Sequence, residues 1–206
     1  MSALAAVLLC GRAGAGKSTL AAAFVREKKY TEIAIAGPLK AICVDAVRLL
    51  VPECVEAVGG DDAFTACFYD PVGKETPLPG LQPATTRITP RVILQKVGTD
   101  IMRRHLGEDV FIWAVKSQAE QCKARGEGIV ISDVRFPNEM NQIRMLLEET
   151  GFEVKAIRVL RPSLSAASLG EHASEAHADT LPVDVELTNS GTPEQLYVAA
   201  IEACAL

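Results

Sequence analysis

The sequence lacks any apolar run that approaches the roughly 20 residues needed to cross a bilayer. Its N-terminus has no basic segment, and the apolar stretch "ALAAVLLC" leads directly into a glycine-rich loop, unlike a secretory signal. We therefore expect a cytoplasmic protein with no membrane partner.

The spacing of the Cys and His residues does not fit a metal-binding site or a disulfide framework either. The six cysteines are scattered, with no C-x-x-C pair, which favours reduced thiols. His172 and His177 are five residues apart and so do not share one helical face, as the zinc pattern on a helix requires. We interpret their segment, which also holds Glu175, as a polar lid rather than a metal site.

The sequence also has no excess of basic residues. Lys and Arg number 21 against 26 Asp and Glu, which gives a formal net charge of −5. A protein that grips nucleic acid normally presents a basic face, so the balance argues against a nucleic-acid partner. Any anionic ligand is expected to be a small molecule held by a few local cations.

The strongest positive signal is "GRAGAGKS", which follows the first apolar run. It fits the P-loop pattern, in which backbone N–H groups and a helix N-terminus cradle nucleotide phosphates. Lys17 would reach the β and γ phosphates, and the Ser18 hydroxyl would ligate Mg²⁺. The dinucleotide-binding fingerprint fails here, because its third small position falls on Thr19 and it has no use for Lys17. The fixed pattern positions are Gly11, Gly16, Lys17 and Ser18.

Short apolar segments alternate with helical patterns along most of the chain. This alternation predicts an α/β fold with a mostly parallel central sheet, typical of a three-layer P-loop kinase. We expect one domain over 1–206, with an insertion at about 52–88 and a lid at about 161–182. The insertion is rich in Pro and Gly, so we expect it to be mostly irregular, with one short helix near "DDAFTACF".

Two further features bear on a site. Asp133 ends the apolar strand "GIVIS", and open α/β sheets bind ligands at that edge. Asp133 could orient Mg²⁺ through water, accept a proton or bind a sugar hydroxyl, or it could form a structural ion pair with Arg135. Gly98 lies inside a predicted helix, where a closely approaching ligand or helix would explain it.

Taken in order, several motifs resemble the phage-type deoxynucleoside monophosphate kinases. The resemblance runs from the P-loop to the C-terminal helix and leaves only about 50–88 without a counterpart. Its D-x-R-x-x-x-E arrangement is its most specific element after the P-loop. The motifs are "AGPLK" (36–40), "LQKVGTD" (94–100), "GIVISDVRFPNEM" (128–140), "RVLRP" (158–162), "EHASE" (171–175) and "LTNSGTPEQL" (187–196).

The resemblance implies ATP and Mg²⁺ as cofactors and a deoxynucleotide lying across the carboxyl edge of the sheet. It implies that "TNSGT" borders the adenine, with Lys17, Asp133 and Arg135 as catalytic residues. The implied ATP-binding residues are Gly11, Arg12, Ala13, Gly14, Ala15, Gly16, Lys17, Ser18, Thr19 and Arg161. The implied acceptor-binding residues are Lys40, Arg91, Thr99, Trp113, Asp133, Arg135 and Glu139.

One departure concerns the loop itself. One member of the family carries basic residues where this sequence has Ala13 and Gly14, which leaves Arg12 as the one cation among the four variable positions. The insertion, which would help to choose the base, also differs in length and content, so the base preference is not predicted. The sequence does not choose between a monomer and a homodimer. A phage origin and a role in deoxynucleotide biosynthesis are implied by the resemblance alone.

Phosphoryl transfer from ATP to a deoxynucleoside monophosphate is the leading interpretation. A kinase with an alcohol acceptor, such as dephospho-coenzyme A, is the alternative, and Asp133 would then act as the general base. A third interpretation, from another class, is a nucleotide-switch binding module. Hydrolysis of ATP that needs a protein partner but no acceptor would distinguish it.

Overall fold

The computed structural model describes residues 4–27, 29–81, 87–162 and 179–204. Five strands form one sheet in the order β2-β3-β1-β4-β5, and every neighbouring pair is parallel. The predicted α/β fold with a parallel sheet is confirmed. The strands are β1 (Leu4–Cys10), β2 (Tyr30–Glu32), β3 (Gly128–Ile131), β4 (Phe152–Leu160) and β5 (Val185–Thr188).

The central strand β1 explains why the fold forms. Its residues from Ala6 to Cys10 are fully buried, as expected for a continuous apolar run covered on both faces of a parallel sheet. Helices α1 (Lys17–Glu27) and α9 (Pro193–Cys204) pack over one face. Their aromatic contact is centred on Phe24, whose ring lies 5.2 Å from that of Tyr30 and 5.4 Å from that of Tyr197.

The other helices of the sheet-bearing part are α7 (Val110–Arg125) and α8 (Pro137–Thr150). Between β2 and α7 the chain forms α2 (Gly37–Leu50), α3 (Pro52–Val58), α4 (Asp61–Tyr69), a 3₁₀ turn (Gly73–Glu75), α5 (Pro90–Gln95), a π-helical segment (Lys96–Arg103) and α6 (Arg104–Leu106). Contacts divide the chain into two compact units, Met1–Ile35 with Ile112–Leu206, and Ala36–Phe111. The single-domain interpretation of 1–206 stays a prediction.

The expectation of a mostly irregular insertion at 52–88 is wrong. The short helix near "DDAFTACF" exists as α4, but α3 and the 3₁₀ turn also lie in this stretch. The reason is that proline and glycine mark helix ends here instead of breaking structure. Pro52 begins α3, and Gly59 ends it in the left-handed conformation at φ 113°.

Gly98 has a packing explanation. It is buried in the π-helical segment, and a Cβ at this position would lie 2.7 Å from the Leu39 Cδ2 atom of α2. Of the two explanations that the sequence leaves open, close approach of another helix therefore accounts for this glycine. Among the helices that the structure describes, none combines the length and apolarity needed to span a membrane.

Candidate active site

The loop between β1 and α1 has the backbone that phosphate binding requires. Gly11, Gly14 and Gly16 have positive φ angles of 131°, 74° and 109°. A Cβ at Gly11 would lie 2.4 Å from the Val159 carbonyl oxygen, and a Cβ at Gly16 would lie 2.4 Å from Asn189 Nδ2. Glycine is therefore needed at both positions for conformation and for space. The loop leads directly into the N-terminus of α1, and the positive end of a helix dipole favours an anion.

Two cations lie on this loop. The Lys17 ammonium donates hydrogen bonds to the carbonyl oxygens of Gly11 (2.8 Å) and Arg12 (2.9 Å), so it lies across the loop. The Arg12 guanidinium forms an ion pair with Asp179, with 2.5 Å between Nη2 and Oδ2. Both partners of this ion pair are about 40% exposed, at 37% and 42%, so screening by solvent keeps its energy small.

A cavity of about 320 Å³ opens beside the loop. Arg161, predicted to bind ATP, lines it and donates from Nη1 to the Gly14 carbonyl oxygen at 3.2 Å. Asn189 also lines it and donates from Nδ2 to the Ala15 carbonyl oxygen at 2.8 Å. The remaining lining residues are Gly14, Gly16, Lys17, Ser18, Thr19, Gly191, Pro193 and Leu196.

Asn189 was not singled out as a site residue from the sequence. The resemblance placed "TNSGT" beside adenine, and Asn189 and Gly191 of that motif do line the cavity. The bond from Asn189 to the loop itself spans 174 positions of sequence. The motif thus indicated that these residues lie near the nucleotide site, but it did not indicate the hydrogen bond between Asn189 and Ala15.

Asp133 lies at the same edge of the sheet as the loop. It follows β3 by two residues, and Ile131 at the end of β3 pairs with Leu8 of β1, three residues before Gly11. Its Oδ1 atom accepts a hydrogen bond from the Ile35 backbone N–H at 3.1 Å. Asp133 therefore also holds Ile35, in the segment that follows β2, by this hydrogen bond.

Arg135 and Glu139 of the same motif differ in exposure. Arg135 is exposed, whereas Glu139 is only 6% exposed. The Glu139 carboxylate accepts hydrogen bonds from the backbone N–H groups of Arg135 (3.1 Å) and Phe136 (3.3 Å). Glu139 therefore caps the first turn of α8, whatever other role it has.

Three predicted acceptor residues belong to the unit Ala36–Phe111. The Lys40 ammonium lies 5.0 Å from the centre of the Tyr69 ring, a cation–π contact. Arg91 forms an ion pair with Glu75 of the 3₁₀ turn, and both side chains are about half exposed. Thr99 is exposed on the π-helical segment. The stretch 52–88 thus supplies direct contacts to both cations.

Trp113, on α7 of the other unit, has a side chain that is 62% exposed. This exposure is compatible with stacking on a ligand and equally with a surface position that binds nothing.

The predicted lid at 161–182 is described only at its two ends. His172, Glu175 and His177 lie outside the described residues. In the part of the chain that the structure describes, no group of three metal-ligating side chains comes together.

A buried arginine lies beside the last residue of β1. Arg158 of β4 is 8% exposed and donates to Glu186 of β5 and to the Leu181 carbonyl oxygen. It also lies beside Cys10, its register partner on β1. Burial raises the pKa of the Cys10 thiol, although Arg158 and Lys17 act in the opposite direction. All six cysteines are free thiols in the structure.

The sheet and the loop together define a class of protein. A parallel sheet with a phosphate-binding loop at the end of its central strand is an α/β nucleotide-binding architecture. No protein-family model matches the chain. A proposed deoxynucleotide monophosphate kinase of Acanthamoeba polyphaga mimivirus is 30% identical over 199 residues, which cover 92% of this chain and 90% of that protein. The chain therefore belongs to the deoxynucleotide monophosphate kinase family, and it is a phosphotransferase.

Solved structures are more distantly similar. The Mycobacterium tuberculosis APS kinase in complex with AMPPNP and APS is 11% identical, with a TM-score of 0.47 and full coverage of both chains. The dephospho-CoA kinase from Campylobacter jejuni is 14% identical, with a TM-score of 0.49 over 97% of this chain and 96% of that one.

Proposed function

We propose that this protein transfers the γ-phosphoryl group of ATP to the 5′-phosphate of a deoxynucleoside monophosphate, giving ADP and the diphosphate. The observation that carries the donor half is the loop of three positive-φ glycines at the start of α1. The acceptor half is supported by the name of the mimivirus relative, to which almost the whole chain aligns. A role in deoxynucleotide supply in a host cytoplasm belongs to the same proposal.

The donor site fits ATP and Mg²⁺. The loop forms a cradle that Cβ atoms at Gly11 and Gly16 would fill. Lys17 would bind the β and γ phosphates, and Arg161 would add positive charge at the cavity mouth. Ser18, exposed at the start of α1, would hold Mg²⁺, which neutralises charge on the phosphate oxygens when bound. Arg12 would join this set if phosphate displaces Asp179 as its partner.

The acceptor needs no strong base. The second pKa of a phosphate monoester is about 6, so the attacking oxygen is already anionic near neutral pH. Asp133 and Arg135 would then orient the acceptor or the metal, together with Lys40, Arg91, Thr99, Trp113 and Glu139. Catalysis rests on positioning and on charge neutralisation by Lys17 and the arginines.

The first test is a coupled ADP-release assay with Mg-ATP and, in turn, dAMP, dGMP, dCMP, dTMP and modified-base deoxynucleotides. Dephospho-coenzyme A serves as the alcohol control, and a reaction without acceptor measures hydrolysis. We expect turnover with at least one deoxynucleotide and little without acceptor. Turnover with the alcohol alone would overturn the proposal in favour of the alternative kinase, and hydrolysis that needs a protein partner would favour the switch module.

Asp133→Asn separates the two acceptor chemistries. The Asn oxygen can still accept the Ile35 N–H bond, so the fold at β3 is preserved. For a phosphate acceptor we expect a raised acceptor KM with residual kcat. Loss of kcat by about 10²–10⁴-fold at unchanged KM would instead identify Asp133 as a general base.

A further inference from the structure

Asn189 is fixed to the sheet and to the phosphate-binding loop at once. It follows β5 directly, and its backbone N–H donates to the Leu160 carbonyl oxygen at 2.6 Å, at the end of β4. Its side-chain Nδ2 atom donates to the Ala15 carbonyl oxygen at 2.8 Å. The side chain is therefore a short rigid bridge from the sheet to the loop.

This bridge determines the orientation of one peptide group. In a trans peptide the C=O and the following N–H point in opposite directions. No peptide in the described residues is cis. Because the Ala15 carbonyl points at Asn189, the Gly16 N–H points away from Asn189. A rotation of this peptide would break the bond from Asn189 and bring a carbonyl oxygen to the side of the loop that holds the N–H.

Close packing restricts that rotation further. The space that a Cβ at Gly16 would fill is taken by Asn189 Nδ2, at 2.4 Å. Asn189 also lines the 320 Å³ cavity together with Lys17 and Ser18. The amide thus borders the cavity and contacts the loop from the side opposite to the one that the Gly16 N–H faces.

We infer that Asn189 is a positioning residue that holds the peptide between Ala15 and Gly16 with its N–H directed at the phosphates of the bound nucleotide. The inference rests on the proposed function and differs from what the resemblance implies, which is that this motif borders the adenine. Asn189 therefore supports binding of the polyphosphate part of the nucleotide and not of its base.

The test uses two probes that divide ATP into its parts, magnesium tripolyphosphate and adenosine. Binding of each is measured by calorimetry or by competition with a fluorescent ATP analogue, on the wild type, Asn189→Leu and Asn189→Ala. Leu matches the shape of Asn without a donor, and Ala removes the side chain. The matched control is Asn141→Ala, the same substitution at an exposed position of α8.

We expect both Asn189 variants to bind tripolyphosphate about 10-fold more weakly, as the loss of one oriented hydrogen bond predicts, and adenosine within about twofold of the wild type. Asn141→Ala should match the wild type with both probes. A loss confined to adenosine would overturn the inference in favour of a base contact. The inference would also be overturned if both probes lost affinity equally or if neither did. It would likewise be overturned if the wild type did not bind tripolyphosphate, or if both variants no longer unfolded cooperatively.

This result is independent of the acceptor. Silence with every deoxynucleotide in the ADP-release assay would overturn the proposed function and leave the tripolyphosphate result intact. Conversely, full deoxynucleotide turnover with unchanged tripolyphosphate binding in Asn189→Leu would overturn the inference alone.

Discussion

Glu139 gives the sharpest test of how the acceptor motif is built. The resemblance implies that it binds substrate, whereas the structure shows a carboxylate that is 6% exposed and accepts two backbone N–H bonds at the start of α8. Hydrogen bonds to a charged group contribute about 1.5–3 kcal/mol, and a carboxylate at a helix N-terminus adds about 0.3–1 kcal/mol. Replacing Glu139 with Ala should therefore lower the free energy of unfolding by about 3 kcal/mol.

For a chain of this length, 1 kcal/mol shifts Tm by about 2–4 °C, so we expect Glu139→Ala to lower Tm by about 6–12 °C. Glu139→Gln keeps an acceptor oxygen and should lose only about 1 kcal/mol. The assays are urea unfolding and acceptor KM on both variants, with the exposed Glu149→Ala of the same helix as control. An unchanged urea midpoint in Glu139→Ala, combined with a raised KM, would refute the capping argument.

Three further predictions concern stability. Gly11→Ala should destabilise the protein by at least about 1–3 kcal/mol in urea, because the new Cβ meets the Val159 backbone, which cannot rotate away. Thr192→Ala should cost about 1 kcal/mol, since the Thr192 hydroxyl accepts the Gln195 N–H at the start of α9; an unchanged midpoint would count against this cap. Burial raises the pKa of Asp184, but hydrogen bonds from the Ala156 N–H and from Arg144 outweigh it and lower the pKa below its usual value. The lowered pKa adds to the free energy of unfolding above pH about 3.9, the pKa of Asp in the unfolded chain, and this contribution is lost as the pH falls through the pKa of Asp184 in the folded protein. Asp184→Asn should therefore make the free energy of unfolding less dependent on pH in the acid range.

The parts of the fold that the sequence predicts well are those encoded locally. A continuous apolar run, a fixed glycine spacing and an alanine-rich segment specify β1, the loop and α1 within a short stretch. The prediction for the insertion at 52–88 is wrong because proline and glycine break a helix in its interior but are favourable at its ends, where Pro52 and Gly59 lie. Their position relative to the apolar residues, such as the buried Phe64 and Phe68 of α4, was the signal for two short helices.

The parts of the candidate site that could not be predicted depend on contacts between distant residues. Arg12 pairs with Asp179 across 167 positions, and Asn189 reaches Ala15 across 174. Nothing in residue type or spacing indicates either contact, since both follow from the sheet order, in which β4 lies beside β1 and β5 beside β4. Glu139 is an intermediate case. A Glu at the third position of a helix begun by Pro137 predicts a cap locally, but the resemblance favoured substrate binding.

The character of the loop as an anion site follows from these distant contacts. The Gly14 and Ala15 carbonyl oxygens accept hydrogen bonds from Arg161 and Asn189, which lie just after β4 and β5. Asn189 holds the Ala15 carbonyl on its own side, and the geometry of a trans peptide then places the Gly16 N–H on the other side. The Ala15 N–H, which follows the Gly14 carbonyl, donates instead to the Arg12 carbonyl oxygen at 3.2 Å and closes the loop on itself. Under the proposed function, the Gly16 N–H is therefore the donor that such a contact presents to the phosphates. Glycine permits this conformation, and Asn189 at the end of β5 holds the Ala15–Gly16 peptide in it.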